Sequence, residues 1–303
     1  LEHLKAGGVS YRLDARVEQI LFDGSEITGA VISTPLGQQR IEADFYVSAV
    51  PCEVMSTLVS PEMAQKAPEL GAISRLHTEW MNGLQFFLKR DVPISYGHIN
   101  FLDTPWAVTA ISQPQFWKDR DIARDYGDGT VKGILSCDVS NWTEPGVVYG
   151  KPAERCTREE IRVEVWTQMQ QALTENGESP LDESDVISWF LDPGITFPAP
   201  GEVRNAEPLF INTVGSYWDR PEAVTSIPNL FLAADYVRGH SDLACMEMAN
   251  EAARKAVNGI LGLSGSSEKA CEIWPLEEPA IYKPARALDR IRFGLRPRHR
   301  VEA

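Results

Sequence analysis

Residues 228–236 read Pro-Asn-Leu-Phe-Leu-Ala-Ala-Asp-Tyr, and residues 242–254 read Asp-Leu-Ala-Cys-Met-Glu-Met-Ala-Asn-Glu-Ala-Ala-Arg. The first stretch is an apolar run that ends at Asp235, which is typical of a buried strand. The second stretch begins a helix predicted over residues 243–261, with Gly262 as its end. Nucleotides bind at the carboxyl edge of sheets built from such strand-to-helix units, so the pair predicts an α/β fold.

This strand-to-helix segment also carries the candidate chemistry. A carboxylate at the position of Asp235 can accept hydrogen bonds from sugar hydroxyls. The N-terminus of the following helix offers unpaired N–H groups and a partial positive charge, which suits the negative charge of a reduced flavin. The small side chains of Ala249, Ala252 and Ala253 allow close packing of that helix. A turn or helix-cap role is the alternative for Asp235.

Short strands are predicted near the start of the chain, over residues 15–22, 27–33, 40–41 and 44–50. The dipeptide Asp23–Gly24 is a turn signal between the first two. The last of these strands is a short apolar run that stops at Pro51, which favours a buried parallel strand leading into a loop.

The middle of the chain predicts a separate domain with a sheet and a covering helix. Thr157 and Glu160 form a capping box at the start of a helix predicted over residues 157–176, which Gly177 can end. Further strands are predicted over residues 83–88, 133–139, 186–191 and 209–214. The resulting domain boundaries are residues 1–75 and 206–265 for a Rossmann-like domain in two parts, 76–205 for an inserted mixed sheet-and-helix domain, and 266–303 for a basic tail.

Composition excludes several classes of protein. The net charge of -14 over 303 residues argues against a general nucleic-acid binder. No apolar run is long enough to span a bilayer, and no secretory signal precedes the first strand. The five cysteines lack the spacing of a zinc site and are interpreted as apolar fillers in a cytoplasmic protein. The basic residues after Tyr282 could contact an anionic membrane surface or remain a solvated terminus.

The quoted segments resemble the phytoene desaturase and flavin amine oxidase superfamily, and most closely its bacterial desaturase-like and hydroxysqualene-dehydroxylase-like members. In that family, a strand ending in Gly-Asp precedes a helix that opens with a phrase like Ala-Thr-Met-Glu-Gly-Ala. Here Ala234–Asp235 takes the place of Gly-Asp, and residues 244–249 match the helix phrase, with Met248 in place of a common glycine. Residues 8–20 and 47–51 resemble the family's segments beside the adenine and the dinucleotide.

The resemblance implies FAD as the cofactor. It places Asp235 at the ribityl or phosphate-proximal part of FAD, the Met246 N–H at the flavin pyrimidine, and the Val17 backbone at the adenine edge. The cofactor-binding residues implied in this way are Val17, Ala234, Asp235, Asp242, Leu243 and Met246.

A complete member of the family also carries Gly-x-Gly-x-x-Gly between a strand and a helix, where the pyrophosphate binds. No such motif occurs in this sequence, and the chain opens without Met. We therefore expect the N-terminal half of the FAD site to come from a missing upstream segment or from a separate chain. This chain alone should bind FAD poorly and be inactive.

By resemblance, the reaction is hydride transfer to flavin from an apolar isoprenoid or carotenoid-type substrate, with peripheral membrane association as a further expectation. His240 is the candidate acid or base, and a surface-loop histidine is its alternative interpretation. Tyr217 and Trp218 are candidate substrate-lining residues. Four more aromatic residues could line a tunnel or belong to the core: Trp106, Phe116, Trp117 and Trp142. The rival functions are a flavin amine oxidase acting on a soluble amine, and a non-catalytic chain that completes or scaffolds a partner flavoprotein.

Overall fold

A computed structural model describes residues 2–241, 243–275 and 279–293 of the chain. It divides into two compact units, the first made of Leu1–Thr78 with Phe210–Ala303 and the second of Glu79–Leu209. Both units contain helices and strands, which confirms the predicted α/β class. Within the described residues, no helix is both long and apolar enough to cross a membrane.

The elements follow one another along the chain in three groups. The first unit begins with α1 (Glu2–Ala6), β1 (Arg16–Phe22), β2 (Ile27–Thr34), β3 (Gly37–Ile41), β4 (Tyr46–Ser48), α2 (Cys52–Leu58), α3 (Pro61–Lys66) and α4 (Pro68–Ala72). After β5 (His77–Glu79), the second unit contains β6 (Asn82–Leu88), β7 (Ile99–Asn100), β8 (Val108–Ser112), α5 (Ile122–Asp125), β9 (Gly133–Val139), α6 (Arg158–Ala172), β10 (Val186–Leu191), β11 (Ile195–Ala199) and β12 (Glu202–Asn205). The chain then passes through β13 (Leu209–Ile211) and continues with β14 (Leu230–Leu232), α7 (Met246–Ser264) and α8 (Lys283–Phe293).

The first unit contains an antiparallel meander and a parallel pair of strands. Strands β1, β2 and β3 form the meander, and Asp23 closes its first turn by accepting hydrogen bonds from the backbone N–H groups of Ser25 (2.8 Å) and Glu26 (2.9 Å). Strands β4 and β14 pair in parallel, with Tyr46 opposite Leu230. The predicted parallel strands are therefore present, and their carboxyl ends meet at one edge. Strand β14 is buried, but the expectation of burial was wrong for β4, where Val47 is exposed and its two neighbours are half-buried.

Helix α7 packs against β14 through small side chains. Ala252 and Ala256 are buried in the same core cluster as the residues of β14. The helix starts and ends three residues later than predicted. Gly262 lies inside the helix, and Gly265 ends it because its φ of 67° allows the left-handed conformation that closes a helix.

The second unit is built on a five-stranded antiparallel sheet in the order β10-β6-β9-β8-β7. Helix α6 covers one face of this sheet, where the rings of Trp166 and Phe86 lie 4.9 Å apart in an edge-to-face contact. The predicted capping box between Thr157 and Glu160 is present. The helix stops at Ala172, short of the predicted residue 176, because the following residues form a turn with Asn176 and Gly177 at positive φ.

Candidate functional site

The candidate site lies where the parallel strands β4 and β14 end. The loop after β4 leads through Pro51 into α2, and the loop after β14 carries Asp235 toward α7. Ala234 is buried at the end of the strand, while Asp235 is half-buried. The fold therefore presents the predicted carboxylate at the sheet edge where nucleotides bind in α/β proteins.

Burial governs the ionisation of Asp235. Its pKa is raised because its carboxylate is partly removed from water, while the N–H of Tyr236 and the charge of Arg220 act in the opposite direction. A partly desolvated carboxylate gains from hydroxyl donors that a bound ligand can bring. The surroundings of Asp235 are therefore suited to sugar-type hydroxyl groups.

Two buried groups flank Asp235 without offering reactivity. The Tyr236 side chain is fully buried, and its hydroxyl has no hydrogen-bond partner in the described part of the chain. Burial, together with the neighbouring Glu53, raises the pKa of the Cys52 thiol to about 12. Because a nucleophilic cysteine needs a thiolate, Cys52 is suited to packing and not to covalent catalysis.

Arg220 holds the loop that carries Asp235 in place, and no sequence pattern predicts this role. Its buried guanidinium donates hydrogen bonds to the backbone carbonyls of Asp235 (3.2 Å), Tyr236 (3.0 Å) and Val237 (2.8 Å). These three consecutive carbonyls turn toward one cation, which fixes the backbone immediately after β14. The nearest signal in the sequence is a charged residue next to Pro221, which does not indicate a buried role.

The next part of this loop is fixed to α7. The N–H of His240 donates to both carboxylate oxygens of Glu251, at 3.0 and 3.1 Å, and Lys255 pairs with the same carboxylate at 2.7 Å. A Cβ on Gly239 would approach the side chain of Met248 to 2.0 Å, so the backbone passes very close to the helix here. The His240 side chain is exposed, and its catalytic role stays a prediction.

The N-terminus of α7 is open. The helix starts at Met246 after Cys245, which provides no side-chain cap. Met246 is 85% exposed and Leu243 is 61% exposed, so apolar side chains surround uncapped N–H groups. Asp242, the remaining cofactor candidate on this loop, lies outside the described residues.

The other predicted site residues lie elsewhere in the first unit. Val17 is on β1, an outer strand of the meander, and packs half-buried against the core. Tyr217 and Trp218 make a perpendicular ring contact at 5.3 Å, and the Arg238 guanidinium lies over both rings. Their roles toward adenine and substrate stay predictions.

We expect Asp235→Asn to stabilise the protein at neutral pH. The folded pKa of Asp235 lies above its ordinary value, so stability falls as pH rises through that pKa and the desolvated charge forms. The gain from the substitution should therefore shrink toward zero below about pH 4, where both states are protonated. Urea unfolding at neutral pH and below about pH 4 measures the difference in stability between the variant and the parent protein. Asp44→Asn, at an exposed position, is the control. A gain that is equal at the two pH values would contradict this prediction.

The residues present fit the flavin end of FAD. Asp235 offers an acceptor for ribityl hydroxyls, and the uncapped N-terminus of α7 offers N–H donors beside exposed apolar side chains. The pyrophosphate-binding glycine motif is not in this sequence.

Three solved structures that resemble the chain share little sequence with it. An oxidoreductase from Methanosarcina mazei is 10% identical with a TM-score of 0.48, over 86% of this chain and 51% of that one. The p-nitrophenol 4-monooxygenase from Pseudomonas putida is 13% identical with a TM-score of 0.43, over 88% and 54%. A geranylgeranyl bacteriochlorophyll reductase-like protein from Thermoplasma acidophilum is 13% identical with a TM-score of 0.45, over 96% and 58%. The chain therefore spans a little over half the length of these proteins.

Family membership rests on the sequence match and not on these distant structures. No curated protein sequence matches the chain. A family model described as flavin containing amine oxidoreductase matches residues 1–261, which is most of the chain. The match confirms the predicted superfamily, its Rossmann-like fold and FAD as the cofactor. The chain belongs to the flavin containing amine oxidoreductase family.

Proposed function

We propose that this chain forms part of an FAD-dependent oxidoreductase that oxidises or desaturates an apolar, isoprenoid or carotenoid-type substrate. The observation that carries the proposal is Asp235, half-buried at the carboxyl edge of β4 and β14 on the loop that leads to the open N-terminus of α7. When bound, FAD supplies an acceptor for a hydride from a substrate carbon.

The protein's own residues would bind and orient the cofactor. Asp235 would accept hydrogen bonds from the ribityl chain, and the N–H of Met246 would donate to the flavin pyrimidine. The outer backbone edge of β1 at Val17 would contact the adenine, since no strand covers that edge in the described residues. Arg220 would act indirectly, by fixing the backbone that carries Asp235.

An apolar cavity supports the second unit as the substrate domain. The cavity has a volume of about 370 Å³, which is within the range of small-molecule sites. Its walls are mostly aromatic and aliphatic side chains: Phe87, Trp117, Ile122, Tyr126, Val131 and Ile134. Of the other aromatic residues considered for a tunnel, Trp106 and Trp142 are buried in the core of this unit, and Phe116 packs against Tyr96.

We further propose that a parallel strand with its Gly-x-Gly-x-x-Gly turn pairs with the free edge of β4. Within the described ranges, β4 carries only β14 as a neighbour, and its Val47 is 48% exposed. Parallel sheets are normally larger and covered on both faces, so a two-stranded parallel pair is an incomplete sheet. An upstream segment of the same gene product or a second chain could supply the strand.

Amine oxidation is the second candidate. It is favoured by Asp138, a half-buried carboxylate of the second unit to which no described residue donates a hydrogen bond. A substrate ammonium group would neutralise such a carboxylate. Recovery of an oxidised apolar product from expressing cells would support the first candidate, and peroxide release with soluble amines would support the second.

Flavin absorbance tests the proposed cofactor site. We expect flavin bands when the chain is completed by the proposed glycine-rich strand, fused upstream or added as a second chain, and weak or no bands in this chain alone. Asp235→Ala should reduce flavin retention about tenfold or more, because ligand hydroxyls lose a charged acceptor. Asp44→Ala, which removes an exposed carboxylate of the same unit, is the matched control. The absence of flavin from both proteins would reject the oxidoreductase and favour the non-catalytic scaffold.

A further inference from the structure

The face of the second unit's sheet that α6 does not cover has an apolar end and an acidic end. Side chains alternate along β9, so Ile134, Ser136 and Asp138 share this face while Leu135 and Cys137 belong to the core. Ile134 lines the apolar cavity described above, which we name the Trp117 cavity. Asp138 is four residues further along the strand, about 14 Å away at the usual rise of a strand.

Asp138 lies beside a position of the sheet that carries no side chain. Its direct neighbour on β6 is Gly83, and a Cβ at that position would come within 3.2 Å of the Asp138 carboxylate. Its direct neighbour on β8 is Thr109. The Thr109 hydroxyl is buried and has no hydrogen-bond partner among the residues described. The Asp138 carboxylate and the Thr109 hydroxyl therefore lie on neighbouring strands, and neither accepts a hydrogen bond from a described residue.

Within the described residues, the charged groups around Asp138 do not form an ion pair or a hydrogen bond with its carboxylate. Burial raises the pKa of Asp138, the exposed His98 lowers it, and the carboxylate of Asp192 raises it further. Asp192 is already engaged by the side chain of Asn82 at 3.0 Å and by the N–H of Gly194 at 2.8 Å. Because Asp138 is half-buried and no described residue donates a hydrogen bond to it, a ligand that brings a donor would stabilise its charged form.

The surface between the two ends also suits a chain-like ligand. Ile111 lies directly opposite Ser136 and is half-buried. The Ser136 hydroxyl accepts hydrogen bonds from the side chains of Gln85 and Gln113, each at 3.3 Å, which holds these polar groups flat against the sheet. A ligand can therefore extend from the cavity to Asp138 along one strand.

We propose that this face binds an apolar, isoprenoid-sized molecule with a terminal hydrogen-bond donor, placing its apolar part in the Trp117 cavity and its donor group on the half-buried carboxylate of Asp138. The inference rests on the proposed function in taking that molecule to be the substrate. The donor is an alcohol or an ammonium group, which share the same hydrogen-bond chemistry toward a carboxylate. A pure hydrocarbon lacks the group that the acidic end recognises.

Calorimetric titration with three probes tests the proposal on the flavin-free chain: farnesol, farnesylamine and the hydrocarbon farnesene. We expect farnesol or farnesylamine to bind about tenfold or more tightly than farnesene, because a hydrogen bond to a charged acceptor is worth that much. Asp138→Asn should remove the difference, while Asp103→Asn, an exposed position of the same unit, should not. Val131→Phe, which fills the cavity, should weaken all three probes.

The outcomes separate the possible sources and the possible failures. If farnesylamine binds more tightly than farnesol, the ligand is an ammonium compound. If farnesol binds at least as tightly as farnesylamine, the ligand is an isoprenoid alcohol. Equal binding of all three probes, no binding of any, or an unchanged affinity in a folded Asp138→Asn protein would overturn the proposal. Because the titration needs no flavin, loss of flavin absorbance with intact farnesol binding would reject the oxidoreductase and keep this ligand site.

Discussion

Glu164→Ala should destabilise the second unit by about 3–5 kcal/mol, the cost of leaving partners of a buried charge unsatisfied. Glu164 is a fully buried residue of α6. Its carboxylate accepts hydrogen bonds from the consecutive backbone N–H groups of Val147 (2.8 Å), Val148 (2.8 Å) and Tyr149 (2.7 Å). Alanine would remove the acceptor of these three N–H groups and also of the buried Gln168 side-chain amide, which donates to Glu164 at 3.3 Å.

The variants and the control for this prediction come from the same helix. Glu164→Gln keeps the volume but turns an N–H₂ group toward backbone donors, so we expect it to lose at least about 2 kcal/mol. Glu159→Gln removes one partner of an exposed ion pair with Arg162 and should cost less than about 1 kcal/mol. Urea unfolding measures the three differences. Equal stability of Glu164→Ala and Glu159→Gln would contradict the role assigned to Glu164.

Local signals in the sequence predicted about half of the strands and helices, including the two longest helices. In the Thr157–Glu160 capping box and in the Asp23 turn, the hydrogen-bonded residues are only three apart in the chain, so tertiary context does not alter these features. The apolar runs that became β4 and β14 were identified for the same reason. The end of α7 was predicted wrongly because Gly262 and Gly265 are both suitable, and only the backbone conformation selects between them.

The residues missed by sequence reasoning depend on partners that are distant in the chain. Glu164 binds N–H groups 15 to 17 residues earlier, and an acidic residue on a helix is normally assigned to solvent. Arg220 binds carbonyls 15 to 17 residues later. Asp138 did have a signal, since strand alternation places it on the same face as Ser136, but the unpaired Thr109 beside it is visible only once β8 and β9 are aligned.

Arg220→Met should destabilise the first unit by about 3–5 kcal/mol and disorder the loop that carries Asp235. Methionine preserves much of the apolar volume near Phe210, whose ring centroid lies 5.5 Å from the guanidinium. It leaves the carbonyls of Asp235, Tyr236 and Val237 without their common donor, and the latter two residues are fully buried. Unsatisfied buried carbonyls would favour rearrangement of the loop.

Two comparisons make the test of Arg220 specific. Arg220→Lys keeps the charge but not the planar fork that reaches three carbonyls, so it should recover only part of the stability. Arg40→Met removes an exposed arginine paired with Glu42 and should cost less than about 1 kcal/mol. Hydrogen exchange at the amides of residues 235–240 should accelerate in Arg220→Met beyond what its lower global stability explains. Unchanged exchange in that loop would mean that Arg220 contributes only packing, and that the backbone beneath Asp235 is fixed by β14 and α7 alone.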